Sequence, residues 1–107
     1  MEYITLSNGV KMPQLGYGVF QVTQEECERC ILDALKVSYR AIDTAQSYFN
    51  EAQVGAAIEK SGIERKDIFL TTKVWIEHYG YDAAKASILD SMEKLRTDYL
   101  DLCLLHQ

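Results

Sequence analysis

Short apolar segments alternate with amphipathic helical segments along most of this chain, and this alternation restricts its fold more than any other feature. The first helical segment follows Thr23-Gln24-Glu25-Glu26, which has the Ser/Thr-x-x-Glu spacing of a capping box. A helix is therefore predicted to begin there. Its apolar residues recur at helical spacing and form one stripe: Cys27, Cys30, Ile31, Ala34 and Leu35.

Two further pairs of a strand and a helix follow. Ala41–Asp43 is predicted to be a short strand, and Asn50 to cap a helix that ends at Ser61-Gly62. Ile68–Val74 is rich in β-branched and aromatic residues, and Asp82 is predicted to cap the next helix. The inward positions expected in these two helices are Val54, Ala57, Ile58, Ala84, Ile88, Met92 and Leu95.

The two ends of the chain read as strands. Near the N terminus, Tyr3–Leu6 and Val10–Met12 flank Asn8-Gly9, a dipeptide suited to a turn with positive φ, which predicts a peripheral β-hairpin. Leu15–Val19 is predicted to be a short strand or loop. Tyr99–Leu105 is a nearly continuous apolar run, which indicates a strand buried on both faces of a parallel sheet.

This order of segments predicts an α/β fold in which right-handed βαβ connections build a parallel sheet. Two architectures satisfy the pattern. One is an open doubly wound sheet, which could be complete at 107 residues. The other is part of a (β/α)8 barrel, which normally takes about 250 residues. With 48% hydrophobic residues, the chain can fill one compact core but not two, so residues 1–107 are predicted to form a single unit.

Charge and composition exclude several classes of function. Eleven Lys and Arg against sixteen Asp and Glu give a net charge of −5, which argues against a nucleic-acid or anionic-membrane surface. No apolar run approaches the ~18 residues that a membrane span needs, and the first residues lack the features of a signal peptide. Three cysteines, an odd number, do not indicate a disulfide framework. A cytoplasmic protein is expected.

Four residues suited to proton transfer are predicted to meet at one rim of the sheet. The carboxyl ends of parallel strands share one rim, where loops build an active site. The residues predicted to gather there are Asp43, Tyr48, Lys73 and His106. Each of them alone has an ordinary explanation, such as a turn residue, a solvated charge, the edge of a core or a terminal residue. Together they form a chemically specific set.

The chemistry of this set points to proton donation by Tyr48. A free tyrosine has a pKa of about 10, and a neighbouring ammonium that stabilises the phenolate makes proton exchange near neutrality more efficient. Lys73 is expected to supply that ammonium, and Asp43 to keep it charged in a partly buried place. A histidine at the same rim, His106, can hydrogen-bond a substrate oxygen and orient a carbonyl group.

Longer stretches of the sequence resemble the aldo-keto reductases, and the similarity covers essentially the whole chain. The similar stretches are Met12–Phe20, Tyr39–Ala45, Tyr48–Glu51, Val54-Gly55, Leu70–Trp75, Gly80–Asp82, Asp98–Leu102 and Leu104–His106. The resemblance implies the N-terminal half of a (β/α)8 TIM barrel, with the C-terminal half absent, and the reduction of aldehydes or ketones with NADPH. One departure is Ser38, which stands where the family usually has glycine.

The resemblance also implies roles for individual residues. Tyr48 would be the general acid, Lys73 and Asp43 would promote its ionisation, and His106 would position the carbonyl. The apolar walls of the substrate pocket would be Phe20, Phe49 and Trp75. The nicotinamide and its ribose would lie near Gly18, Val19 and Asp43. Alone, such a half is expected to be weakly active or inactive, and it is expected to need self-association or a complementing C-terminal half.

Two other functions compete with this interpretation. One is a non-catalytic binding or regulatory protein that keeps the reductase fold, although all four proton-transfer positions are filled. The other is thiol redox chemistry, since Cys27 and Cys30 have Cys-x-x-Cys spacing. Both cysteines lie on the apolar stripe, which favours a structural role. Gln21 stands where a Rossmann fingerprint needs its third glycine, and no cluster has the spacing of metal ligands.

Overall fold

The computed structural model describes residues 2–107, which begin with the predicted hairpin. Strands β1 (Tyr3–Thr5) and β2 (Lys11–Pro13) pair antiparallel. In the connecting loop, the Leu6 carbonyl accepts a hydrogen bond from the Gly9 amide at 2.9 Å, and Gly9 has a φ of 86°. Glycine adopts this left-handed conformation without steric cost, so Gly9 supplies the positive φ that the sequence predicted for the turn.

Four parallel strands form the main sheet: β3 (Gly16–Gly18), β4 (Ala41–Asp43), β5 (Phe69–Val74) and β6 (Leu102–Leu105). They are connected by helices α1 (Gln24–Lys36), α2 (Glu51–Ser61) and α3 (Tyr81–Leu95). The spatial order is β3-β4-β5-β6, the same as the order along the chain. Each strand is therefore added on the same side of the last, as in a (β/α)8 barrel, whereas a doubly wound sheet reverses direction. The fold is a partial α/β barrel.

The core lies between the helices and one face of the sheet. Its largest members have almost no exposed surface: Val19, Ile31, Ile42, Val54, Ile68 and Leu70. The carboxylate of Glu51, in the first turn of α2, is also buried, and it accepts a hydrogen bond from the Thr72 hydroxyl at 2.6 Å. A buried carboxylate requires such a partner, and this bond fixes the start of α2 on β5.

Helices α2 and α3 pack tightly against each other at Gly55. A Cβ atom at Gly55 would lie 2.6 Å from the carbonyl oxygen of Lys94 and 2.7 Å from the carbonyl carbon of Leu95. Any side chain at this position would therefore collide with the backbone of α3. This contact explains why a glycine, which is a poor helix former, stands inside α2.

The predicted caps of α1 and α3 differ from those observed. The hydroxyl of Thr23, the N-cap residue of α1, donates to the Glu26 carboxylate at 3.4 Å instead of accepting a backbone N–H. Helix α3 begins at Tyr81, with Gly80 as its N-cap at a φ of 106°, so Asp82 lies in the first turn. There its charge meets the positive end of the helix dipole without capping the helix.

The C-terminal end of α1 places Ser38 in a left-handed conformation, with a φ of 81°. The Ser38 amide donates to the Leu35 carbonyl at 3.1 Å, and the Tyr39 amide donates to the Ala34 carbonyl at 3.0 Å. These bonds terminate the helix in the manner of a Schellman motif, whose left-handed residue is usually glycine. Ser38, noted above as standing where glycine is usual, thus lies at a position whose positive φ favours glycine.

The prediction that Tyr99–Leu105 is buried on both faces is wrong for this chain. Strand β6 is one of the two edge strands of the sheet within residues 2–107, and Leu104 and Leu105 are 41% and 73% exposed. The face of α3 that was predicted to point inward is only partly buried. Of its four predicted residues, Ala84, Ile88, Met92 and Leu95, only Leu95 is fully buried. None of the helices in the described part of the chain is long and apolar enough to cross a membrane.

Candidate active site

The carboxyl ends of the parallel strands bring the four residues suited to proton transfer to one rim. Asp43 is the last residue of β4, Lys73 is the second-last residue of β5, and His106 follows β6. Tyr48 ends a short 3-10 helix, Gln46–Tyr48, in the loop after β4. The sheet register explains the meeting, since Asp43 lies opposite Thr71 and Lys73 lies opposite Leu104.

The Lys73 ammonium lies at the centre of the site. It forms an ion pair with the Asp43 carboxylate, and its Nζ atom lies 3.0 Å from the Thr44 carbonyl oxygen and 3.2 Å from the Tyr48 hydroxyl oxygen. An ammonium has three protons, and each one has an acceptor here. Because the Lys73 side chain is only 13% exposed, the nearby carboxylate compensates for the water that the charge has lost.

The contact with Lys73 determines how the Tyr48 hydroxyl is used. An ammonium can only donate, so the Tyr48 oxygen must be the acceptor in this contact. The hydroxyl proton of Tyr48 therefore points elsewhere and remains available to a second acceptor. The Tyr48 ring is held by the Phe20 ring, at a centroid distance of 5.3 Å, and by an edge-on contact with the His106 ring at 5.8 Å.

Backbone and ring contacts fix His106. Its amide donates to the Val74 carbonyl at 3.0 Å, which extends the β5–β6 pairing, and its carbonyl accepts from the Tyr79 hydroxyl at 2.8 Å. The ring meets Trp75 edge-on at 5.6 Å, and Nδ1 lies 3.4 Å from the Ser47 hydroxyl. With Nδ1 beside Ser47, Nε2 is the ring nitrogen left for a substrate oxygen.

The three aromatic residues expected to form a substrate pocket differ in their placement. Phe20 contacts the ring of Tyr48 and Trp75 contacts the ring of His106, so both border the proton-transfer group. Phe49 is 75% exposed and has a φ of 57°, and its carbonyl accepts a hydrogen bond from the Gln24 side chain. The rings of Phe20 and Trp75 therefore lie beside rim residues, although Phe20, at 66% exposed, is almost as open to solvent as Phe49.

The residues expected near a nicotinamide lie at the end of β3. Gly18 is exposed, pairs with Asp43 in the sheet register, and has open space where a side chain would be. Asp43 is 43% exposed, so its carboxylate also borders this space. Val19 is fully buried, and its amide donates to the Asp43 carbonyl at 3.1 Å. Gly18 and Asp43 can thus face a bound group, while the Val19 side chain belongs to the core.

Asn50 connects loops of the rim, a role that its position as a predicted helix cap did not suggest. Its side chain is fully buried and does not cap α2. Instead, Oδ1 accepts from the Thr44 hydroxyl at 2.7 Å, and Nδ2 donates to the carbonyl oxygens of Val19 at 3.1 Å and Val22 at 3.2 Å. Asn50 thereby fixes the loop after β3 to the loop after β4.

The surroundings of Cys27 do not suit thiol redox chemistry. All three are free, and Cys27 is fully buried in α1. Burial, with a smaller contribution from the neighbouring thiol of Cys30, raises the pKa of Cys27 to about 11. A redox-active thiol needs a low pKa and access to solvent, and Cys27 has neither. Residues 2–107 also contain no group of three His, Cys, Asp or Glu side chains arranged to hold a metal ion.

Comparison with known proteins identifies the family. The sequence model of the Aldo/keto reductase family matches residues 6–107. Over 103 residues the chain is 50% identical to an aldo-keto reductase of Mycolicibacterium smegmatis, a match that covers 96% of this chain and 38% of the relative. It is 46% identical to the glyoxal reductase of Bacillus subtilis, with 98% of this chain and 38% of the relative covered.

A crystal structure gives the same result. An aldo/keto reductase from Brucella melitensis superposes with a TM-score of 0.96 at 48% identity, covering 98% of this chain and 40% of that one. The chain therefore spans about two fifths of the length of the proteins that it matches. The family model, the sequence identities and the superposition agree, and the chain belongs to the aldo-keto reductase family.

Proposed function

We propose that this chain carries the proton-donating site of an NADPH-dependent reductase that converts aldehydes or ketones to alcohols. One observation carries the proposal: the Lys73 ammonium contacts both the Asp43 carboxylate and the Tyr48 hydroxyl, at the rim where His106 also lies. The proposal is further supported by relatives named glyoxal reductase and methylglyoxal reductase. These names favour small dicarbonyl compounds as substrates.

The residues at the rim fit the nicotinamide end of such a cofactor. Gly18 leaves open space beside Asp43, and the exposed part of the Asp43 carboxylate can accept hydrogen bonds from ribose hydroxyls. When bound, the reduced nicotinamide would supply a hydride to the carbonyl carbon. This chain's own residues then have to supply a proton to the carbonyl oxygen.

In the proposed mechanism, Tyr48 supplies that proton. The hydroxyl proton of Tyr48 passes to the carbonyl oxygen, so hydride and proton together convert the carbonyl to an alcohol. The Lys73 ammonium, 3.2 Å from the phenol oxygen, stabilises the phenolate that is left. Asp43 holds the Lys73 ammonium in place through their ion pair, and His106 Nε2 donates a hydrogen bond that orients the carbonyl oxygen toward Tyr48.

We propose that residues 1–107 act as one unit, the N-terminal part of a closed barrel. The apolar groove beside β6 supports this, since it is lined by exposed or half-buried side chains that further strands and helices would cover: Tyr79, Tyr81, Ala84, Ile88, Leu89 and Leu105. The 107-residue chain alone is expected to be weakly active or inactive unless it self-associates or pairs with a complementing C-terminal half. Robust turnover of a simple aldehyde by the monomer would contradict this part of the proposal. The chain's proposed location is the cytoplasm.

A fusion to a relative tests the proposed function. This chain replaces the matching part of the Bacillus subtilis glyoxal reductase, and the fusion is assayed for NADPH oxidation with glyoxal. We expect turnover that requires NADPH and a carbonyl compound. A fusion that folds and binds NADPH but does not reduce glyoxal or other simple aldehydes would overturn the proposal and would favour a non-catalytic role for the fold.

A further inference from the structure

We propose that Gln46 is a positioning residue whose side-chain amide holds the loop of Trp75 against the helix of Tyr48. This inference rests on the proposed function, because it treats Trp75 as a wall of the carbonyl site. Gln46 is the first residue of the 3-10 helix that ends at Tyr48. It is half-buried, and its bonding partners lie on two other elements.

Both polar atoms of the Gln46 side-chain amide form hydrogen bonds. Gln46 Oε1 lies 2.9 Å from the Trp75 backbone nitrogen and 2.8 Å from Nδ1 of His78. Gln46 Nε2 lies 3.2 Å from the hydroxyl oxygen of Ser91, a fully buried residue of α3. A single amide therefore joins the loop after β4, the loop after β5 and helix α3.

These contacts determine the direction of each hydrogen bond. A backbone N–H can only donate, so the atom facing Trp75 must be the side-chain oxygen of Gln46. The nitrogen Nε2 then donates to the Ser91 hydroxyl. Because Oε1 has no proton, His78 Nδ1 must be the donor in its own contact. The neutral His78 ring is therefore held with its proton on Nδ1, and Gln46 selects this tautomer.

The link fixes the width of the proposed carbonyl site. Trp75 borders His106, with ring centroids 5.6 Å apart, and Tyr48 lies two residues after Gln46. Gln46 thus sets the distance between the proton donor and one apolar wall. Loss of the amide would release Trp75 without removing any group that contacts a reacting atom.

Two spectroscopic measurements on the chain test this proposal. Trp75 is the single tryptophan of the sequence, so fluorescence excited selectively at tryptophan, and not at the tyrosines, reports on its loop. In Gln46→Ala we expect stronger quenching by acrylamide and lower anisotropy. Gln46→Glu keeps the acceptor for Trp75 and His78, and the Ser91 hydroxyl can turn to donate to it, so this variant should restore the original values. Gln24→Ala is the matched control, since Gln24 bonds the Phe49 carbonyl and should leave Trp75 unchanged.

Nitrogen NMR of the histidine rings provides the second measurement. In the unmodified chain at a pH where His78 is neutral, its proton should reside on Nδ1, and Gln46→Ala should move it toward Nε2. A His78 ring protonated on Nε2 in the unmodified chain would overturn the proposal, even if Gln46→Ala fails to fold. So would equal quenching of Trp75 in the unmodified chain and a folded Gln46→Ala. Neither measurement needs turnover, so a failure of the proposed function would remain distinguishable.

Discussion

Replacing Gly55 by alanine should destabilise the fold, although alanine is the better helix former. The added Cβ would lie 2.6 Å from the Lys94 carbonyl oxygen, whereas ordinary contacts begin near 3.4 Å, so α2 and α3 must separate by about 0.8 Å. The atoms in the way are backbone atoms of α3 and cannot rotate aside. The separation would also strain the packing of Leu95 in the core.

The expected loss of stability follows from two opposing contributions. Overpacking a tight contact costs roughly 1–3 kcal/mol, and the upper end applies here because the contact involves backbone. The change from glycine to alanine in a helix returns about 1 kcal/mol. The net loss in the free energy of unfolding is therefore about 2 kcal/mol. For a domain of this size, that corresponds to a fall in Tm of roughly 10 °C.

Urea unfolding followed by far-UV circular dichroism measures this change. Ala52→Gly, at an exposed position in the first turn of the same helix, is the matched control for helix propensity and should cost at most about 1 kcal/mol. A Gly55→Ala variant that is as stable as the original chain, or more stable, would refute the argument from close approach.

Two further predictions concern local conformation and ionisation. Ser38→Gly should raise the free energy of unfolding by up to about 1 kcal/mol, because Ser38 has a φ of 81°; a loss of stability in urea unfolding would contradict this. The pKa of Cys27 is raised by burial from its usual 9.0 to about 11. The protonated thiol therefore contributes its full share to the free energy of unfolding below pH 9, and this contribution is lost as the pH rises toward 11. Stability measured between pH 8 and about 10.5 should therefore fall more steeply in the original chain than in Cys27→Ala, and parallel curves would exclude the effect.

Much of the fold could be predicted from local sequence patterns. Helical spacing identified the faces of α1 and α2, and the apolar runs located the strands of the sheet. The sequence pattern could not distinguish an open sheet from a barrel, because both use the same βαβ unit. The spatial order of the strands distinguishes them. Burial of β6 was predicted from its composition, but burial depends on neighbours, and β6 has a strand on one side only within residues 2–107.

The site was predictable in part for a similar reason. The meeting of Asp43, Lys73 and His106 follows from one rule, that parallel strands end at a common rim. The roles of Asn50 and Gln46 could not be read locally, because each bonds backbone or side-chain groups of distant segments. The partners of Gln46 are 29 to 45 residues away in sequence, and no periodicity marks such a contact.

The proton-donating role of Tyr48 is the central claim, and one comparison tests it most directly. In the fusion with glyoxal reductase, kcat for glyoxal reduction is measured with NADPH for the unmodified protein and for Tyr48→Phe. Tyr3→Phe, which removes a hydroxyl from an exposed residue of strand β1, away from the site, is the matched control. We expect Tyr48→Phe to lower kcat by roughly 10²- to 10⁴-fold while the Kd for NADPH and the activity of the control stay unchanged. Retention of kcat in Tyr48→Phe would contradict the account.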